Sequence, residues 1–494
     1  MSATICLAID LGAESGRAIL GRLENDRLEL EEVHRFPNGP VRVHDHLHWD
    51  VLRIWSEIQT GLHLAAAKAG GELASLGMDT WGVDYALLDS HGRLLGNPYH
   101  YRDSRTDGMV EAASEIVPLA EIYRQTGIQF MQINSLYQLL SMRLAGDPAL
   151  QAARAFLSIP DLFNFWLTGE QASEFTIATT TQCFNPSTGN WAWELLEKLG
   201  LPDGIFQVLI QPGATFGKLR PAVAREAGAA ILPVMAVGSH DTASAVAAVP
   251  AETERAAFIS SGTWSLMGSE TPAPVISEQS LAFNFTNEGG VGGGYRFLKN
   301  ISGMWLVQEC RRAWAAAGRD YSYAELTELA AGAAPFRSLV NPNAPDFLSP
   351  GDMPARIQRY CQEHGEPAPD SVGAFVRCAL ESLALAYRHT LGQLEQALGY
   401  PLDAIHIVGG GSRNRLLNQF TADATGKPVI AGPVEATAIG NVLVQAMALG
   451  QLNSLAEARS LVRRSFPVET FTPGPAEDWE AAYQRFLGAI LAIK

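Results

Sequence analysis

The chain has 494 residues, too many for one ordinary core and enough for two large domains or three of average size. At 47% hydrophobic and 18% charged it has the balance of a globular protein, which excludes a disordered, fibrous or low-complexity chain. A net charge of −16 argues against a broad nucleic-acid or anionic-membrane footprint, but not against a nucleotide, whose phosphates need only a few backbone amides and one cation.

The opening, MSATICLAIDLG, has no basic leader, and Asp10 interrupts its short apolar run, so Thr4–Asp10 reads as a strand and not a signal peptide. The turn Gly12–Gly16 leads into a second strand, Arg17–Leu23, and after Asn25-Asp26 the stretch RLELEEVHRF makes a third. Trp49–Gly70 has helical spacing, with Val51, Trp55, Ile58 and Leu62 on one face, and Leu73–Met78 returns as a strand. No run of 18 apolar residues follows anywhere, so no membrane span is expected. Five cysteines without a CxxC pair read as thiols of a reducing compartment, which points to the cytoplasm.

Near mid-chain, AFISSGTWSLMG (residues 257–268) repeats the opening strand–turn–strand, with Ile9-x-x-Gly12-x-x-Ser15 matching Ile259-x-x-Gly262-x-x-Ser265. The two copies open halves of similar length, with the boundary expected in the polar stretch around residues 249–256. The second half continues with a long helix, Val372–Leu398, stopped by Gly399 and Pro401, then a strand, Ala404–Val408, three glycines and a helix from about Asn414.

Phosphate loops of other folds are missing: Gly426-Lys427 is followed by Pro428, and no G-x-G-x-x-G follows a strand. Three stretches remain. Asp10 ends a strand before a Gly/Ser turn, where glycines let amides converge on an anion and the carboxylate holds a water of a Mg²⁺ shell; a plain hairpin is the alternative. Asp241 opens a helix after the strand Pro233–Val237, the place where open α/β sheets hold ligands, or else is an ordinary N-cap. Gly409-Gly410-Gly411 lets a flat base approach the backbone, or is a tight turn. Two features read as decoys. His44-x-His46-x-His48 lies in a Pro- and Asp-rich loop, and Gly289–Gly294 reads as a hairpin turn rather than a phosphate loop.

Taken in order, DLGAESGR, MDTWGVDY, YRDSRT, GSHDTASAV, SSGTWSL, FTNEGG, KNISGMW, HIVGGGSRNRLLNQ and GPVEATAIGN resemble the FGGY carbohydrate kinases, over about residues 3 to 475. The phosphate turn and the triple glycine are shared by the whole superfamily, whereas DTWGVD, SHDTASAV and TNEGG belong to one branch. The resemblance implies an α/β fold of two ribonuclease-H-like, actin/hexokinase-type lobes with a central cleft, residues 1–248 for sugar and phosphate and 249–494 for the nucleotide. It implies ATP contacts at Ala13, Glu14, Ser15, Gly16, Arg17, Thr263, Gln308 and Gly410, and sugar contacts at Gly82, His240, Asp241, Thr242 and Asn300. Asp241 matches the proton acceptor, while the reading of Asp10 as facing Mg²⁺ through water rests on its place at the strand end. Tyr85 stands where Phe is usual, and Glu14 inside the phosphate turn is expected to point outward; Cys361 and Cys378 resemble a cysteine pair of some relatives. Fuculose, xylulose and glycerol are acceptors of other family members, and an actin- or chaperone-like ATPase is the reading from a different class.

Overall fold

Strands form where apolar residues run unbroken because both faces are to be covered. TICLAIDL is such a run. In the computed structural model, which describes residues 3–491, it becomes Thr4–Leu11, inside a six-stranded sheet. The order across this sheet is Thr215–Lys218, Pro233–Met235, Leu73–Thr80, Thr4–Leu11, Ser15–Glu24, Arg27–Pro37. Leu73–Thr80 runs parallel to both of its neighbours, and the remaining pairings are antiparallel. Strand Leu73–Thr80 outlasts its expected end at Met78 by two residues, which brings Asp79 into the ladder opposite Asp10.

Helices cover the sheet. Val51–Lys68 starts at Asp50, whose side chain accepts from the Arg53 amide, and buries Val51, Ile54, Ile58 and Leu62. Ala436–Ala448 also packs on Thr4–Leu11 and Leu73–Thr80. Small residues set the contacts on the strand Ser15–Glu24: Ala18 meets Gly61 of the first helix and Gly21 meets Val442 of the second.

The chain divides into two compact units that do not follow one boundary. The first takes the chain up to Pro250 together with Glu270–Phe297 and Ala436–Phe466; the second takes Ala251–Ser269, Leu298–Glu435 and the chain from Pro467. In the second unit Trp264–Thr271, Ala256–Ser261, Ala404–Val408, Val429–Ala431 and Glu469–Phe471 lie side by side in that order. The long helix Val372–Leu398 is capped by Ser371, ended by left-handed Gly399, and tied to the sheet by Tyr387, whose hydroxyl lies 2.6 Å from Ser265 Oγ.

The two strand–turn–strand openings form as expected, with one difference. In the first, Gly12 N donates to Ser15 O at 2.9 Å and the strands close at Leu11 and Gly16; in the second, Gly262 N donates to Trp264 O at 2.8 Å and they close at Ser261 and Ser265. The second turn is one residue shorter. All five cysteines are free and buried, Cys361 and Cys378 included. Among the described residues no helix is long and apolar enough to cross a membrane.

Candidate active site

Two aspartates near neighbouring strand ends and a third at the start of a helix stand in the first unit. Asp10 and Asp79 are register partners on parallel strands. Thr80 N donates to Ser239 O at 2.8 Å and so draws the segment leading to Asp241 alongside. These are the C-terminal ends of the parallel strands, where an α/β sheet offers its ligand crevice. Asp10 ion-pairs with Arg17, its partner across the hairpin. Asp79 is fully buried: its Oδ2 accepts from Asn441 Nδ2 at 2.6 Å, while Oδ1 has no hydrogen-bond partner. Burial, then the negative charge of Asp10 and of Asp241, push its carboxyl well above the usual carboxylate range against the pull of Asn441 and Arg17. Asn441 is steadied from below by Gln445, whose Nε2 donates to Asn441 Oδ1 at 2.7 Å and Leu7 O at 3.0 Å, and whose Oε1 accepts from Ser75 Oγ at 2.7 Å.

Asp241 is the first residue of the helix Asp241–Ala247, after His240 in the cap position. Its Oδ1 accepts from Thr242 Oγ1 at 3.0 Å, and its side chain is 33% exposed. It therefore does not act as the N-cap. The segment before it is held from behind by Glu174, which accepts from Thr176 N, Thr176 Oγ1, Ile177 N and Ser239 N between 2.6 and 3.2 Å. Burial pushes Glu174 up to about 7. Next to His240 stands Gly82, where a Cβ would lie 3.3 Å from His240 Nε2. The loop carrying Gly82 is fixed by Asp84, whose carboxylate accepts from the indoles of Trp49 (2.5 Å) and Trp81 (3.0 Å), from Gln138 Nε2 (3.0 Å) and from Tyr101 N (3.2 Å). Burial pushes Asp84 up to about 6 despite these donors.

The turn Ala13, Glu14, Ser15, Gly16 and Arg17 adjoins Asp10 and is braced by Asn38, whose Nδ2 donates to Gly12 O at 2.9 Å. Glu14 is exposed. The first unit thus holds Asp10, the turn, Gly82, His240, Asp241 and Thr242, whereas Thr263, Gln308, Gly410 and Asn300 belong to the second. There Gly303 N donates to Thr263 O at 3.1 Å and Met304 N to Gly262 O at 3.0 Å, which seats the start of the helix Trp305–Ala316, and with it Gln308, on the Gly262 turn. Gly409 has φ +84°, and a Cβ at Gly411 would fall 2.0 Å from Ser261 Oγ, so the glycine run is a close approach to the adjoining strand end.

The histidine triplet does not converge. His46 pairs with Asp103 at 3.1 Å while His48 lies tilted over Tyr99 at 4.6 Å. The glycine run after Gly289 is a hairpin turn, closed by Gly290 N donating to Gly294 O at 2.9 Å. No group of three or more His, Cys, Asp or Glu among the described residues is placed to hold a metal ion. The three aspartates nonetheless suit Mg²⁺ that keeps its waters: they are hard oxygen donors, and Asp79 has a buried oxygen without a partner under repulsion that a cation would relieve.

Sequence reasoning passed over Asp79, Asn441, Glu174, Glu288 and Arg296. For Asp79 a signal existed, because LASLGMD repeats the apolar-run-then-Asp pattern of TICLAID. Asn441 and Glu288 lie in the stretches GPVEATAIGN and TNEGG, but like Glu174 and Arg296 they come from segments distant in the chain, and nothing local marks what they pair with.

The chain belongs to the FGGY family of carbohydrate kinases: the family's N-terminal domain matches residues 5–248 and its C-terminal domain residues 257–449. It is a phosphotransferase with the actin/hexokinase-like fold of that family. The xylulose kinase of Lactobacillus acidophilus superposes with a TM-score of 0.81 at 16% identity, over 99% of this chain and 98% of its own. The ADP-bound glycerol kinase of Plasmodium falciparum gives 0.79 at 16% identity, over 99% of this chain and 98% of its own. Closer in sequence are the rhamnulokinase of Bacteroides thetaiotaomicron, 48% identical over 98% of this chain and 99% of that protein, and the rhamnulokinase of Halalkalibacterium halodurans, 44% identical over 95% and 99%.

Proposed function

We propose that the protein transfers the γ-phosphate of ATP to the C1 hydroxyl of L-rhamnulose, giving L-rhamnulose 1-phosphate and ADP in cytoplasmic L-rhamnose catabolism. The observation that carries this reading is Asp241: a third-exposed carboxylate at the start of a helix, free of capping duty, in a chain 48% identical to a rhamnulokinase. Asp241 orients the C1 hydroxyl and takes its proton as the oxygen attacks phosphorus, while Gly82, His240, Thr242 and Asn300 contact the sugar. Phosphoryl transfer has a loose transition state, so positioning and charge stabilisation supply most of the catalysis. The amides of Ala13–Arg17, with Thr263, Gln308 and Gly410, bind the nucleotide. Asp10, with Asp79 behind it, would hold the Mg²⁺ that accompanies ATP through water, and the cation would supply neutralisation of phosphate charge. Residues 1–248 supply most of the sugar and phosphate lobe and 249–494 most of the nucleotide lobe; neither nucleic acid nor membrane is a partner.

The test is ATP consumption by the purified protein against L-rhamnulose, fuculose, xylulose and glycerol. The expected result is the highest kcat/KM with L-rhamnulose, because a site that hydrogen-bonds each hydroxyl rejects analogues lacking one. Preference for another acceptor would move the substrate within the family. ATP hydrolysis that proceeds as fast without any sugar would replace the kinase by an ATPase.

A further inference from the structure

His240 is held by two charged side chains of the first unit. Arg296, at 0% exposure, donates Nε to Gly289 O at 2.9 Å and brings Nη2 to 3.2 Å from His240 Nδ1. Glu288 Oε2 stands 3.2 Å from that same Nδ1 and 3.3 Å from Arg296 Nη2, an ion-pair contact to the guanidinium. A guanidinium is permanently protonated and has no acceptor, so the nitrogen it hydrogen-bonds must offer a lone pair. That assigns the lone pair to Nδ1 and the ring proton to Nε2. Glu288 is then the buried counter-charge of Arg296. On the other side of the ring Nε2 lies 3.5 Å from Asp241 Oδ1, and Gly82 leaves the space beside it without a side chain.

Burying an ion pair is at best weakly stabilising, so its presence behind a site residue calls for a reason other than stability. We propose that Arg296 and Glu288 are positioning residues: they hold His240 as the neutral imidazole with its proton on Nε2, a hydrogen-bond donor to an oxygen of the acceptor sugar beside the Asp241 carboxylate. The inference rests on reading this site as the sugar site. A fixed donor does two things there. It rewards a sugar oxygen at one place and leaves an unpaired N–H when that oxygen is missing, and it does not compete with Asp241 for the hydroxyl proton.

Nitrogen-15 spectra of the histidine-labelled full chain, with His240 assigned through its loss in His240→Ala, report the tautomer without turnover. The expected spectrum has Nε2 protonated and Nδ1 bare, and the bias disappears in Arg296→Gln. Kinetically, Arg296→Gln raises the KM for L-rhamnulose about 10-fold or more and leaves the KM for ATP within about 2-fold. In a His240→Ala background the same substitution changes the sugar KM by less than about 2-fold, because its effect travels through the ring. Should Arg296→Gln fail to fold with Glu288 left unpaired, Glu288→Leu with Arg296→Met removes both charges and every side-chain donor and acceptor these two positions offer Nδ1, and takes its place with the same results expected. Protonated Nδ1, or equal losses in both backgrounds, overturns the proposal while leaving the kinase standing. A wild-type protein that phosphorylates no ketose overturns the functional reading and this inference with it.

Discussion

Asp79 near a strand end and Asp241 at the start of a helix are the same residue type, and their surroundings separate them. Asp241 is a third exposed, accepts from Thr242 and stands 3.5 Å from His240 Nε2, whereas Asp79 is sealed beneath Asn441. An accessible carboxylate suits a proton acceptor; a buried one suits a fixed electrostatic floor. Asp241→Asn keeps size and hydrogen bonding, so kcat should fall by roughly 10²–10⁴-fold with ATP binding and melting temperature nearly unchanged, measured by single-turnover transfer and thermal unfolding. Retention of more than about a tenth of kcat would remove Asp241 from the chemistry. Glu174 offers a different residue-scale test. Its folded value of about 7 lies above an ordinary carboxyl, so the folded state binds more protons than the unfolded one between pH 4.5 and 7. Its contribution is therefore fully present below about pH 4.5 and is lost as pH rises toward 7, by up to about 3 kcal/mol. Glu174→Gln removes that slope. Denaturant unfolding should show the variant gaining on the wild type as pH goes from 4.5 to 8, and a constant difference would deny the shift.

At the scale of elements, the helix Asp241–Ala247 and the helix Ala436–Ala448 approach so closely that a Cβ at Gly440 would lie 1.7 Å from Ser244 O. In an exposed helix Gly→Ala gains about 1 kcal/mol. Here Gly440→Ala should instead cost about 3 kcal/mol or more and lower kcat/KM, because the displaced helix carries Asp241; calorimetry and steady-state kinetics read the two effects. An unchanged melting temperature would mean that the helices separate freely. Other elements show what the sequence made legible. Apolar periodicity placed Val372–Leu398 and Ala404–Val408 at their observed ends, since packing faces repeat at 3.6 or 2 residues. Asp10 and Asp241 were visible because each closes an apolar run at a Gly- or Ser-rich turn. The support beneath them was not: Asn441 reaches Asp79 across 362 positions and Arg296 reaches His240 across 56. Polar pairing at that range follows from topology and leaves no periodic trace.

At the scale of the whole molecule, Asp79, Asn441, Ser75 and Gln445 form one buried polar column whose halves are far apart in the chain. The helix Ala436–Ala448 that supplies half of it belongs to the first unit, although the second unit's Leu298–Glu435 precedes it. This fixes an order of events during synthesis. When the ribosome reaches Pro250, the sheet of the first unit is fully translated but one face lacks its helix, leaving Ser75 without Gln445, Asp79 without Asn441 and Leu7 O without the Gln445 amide. At about 5–20 residues per second the covering helix arrives only some 10–40 s later. Nascent chains stalled near residue 300 should therefore be cut readily within their first 250 residues by a low dose of protease, and chains stalled by a C-terminal extension that clears the exit tunnel should resist. Equal resistance at both lengths would show that the sheet stands without its last helix. Otherwise the protein spends the latter half of its translation as a client for whatever shields apolar sheet faces, and a premature stop before codon 436 yields an unfinished first unit and no independent domain.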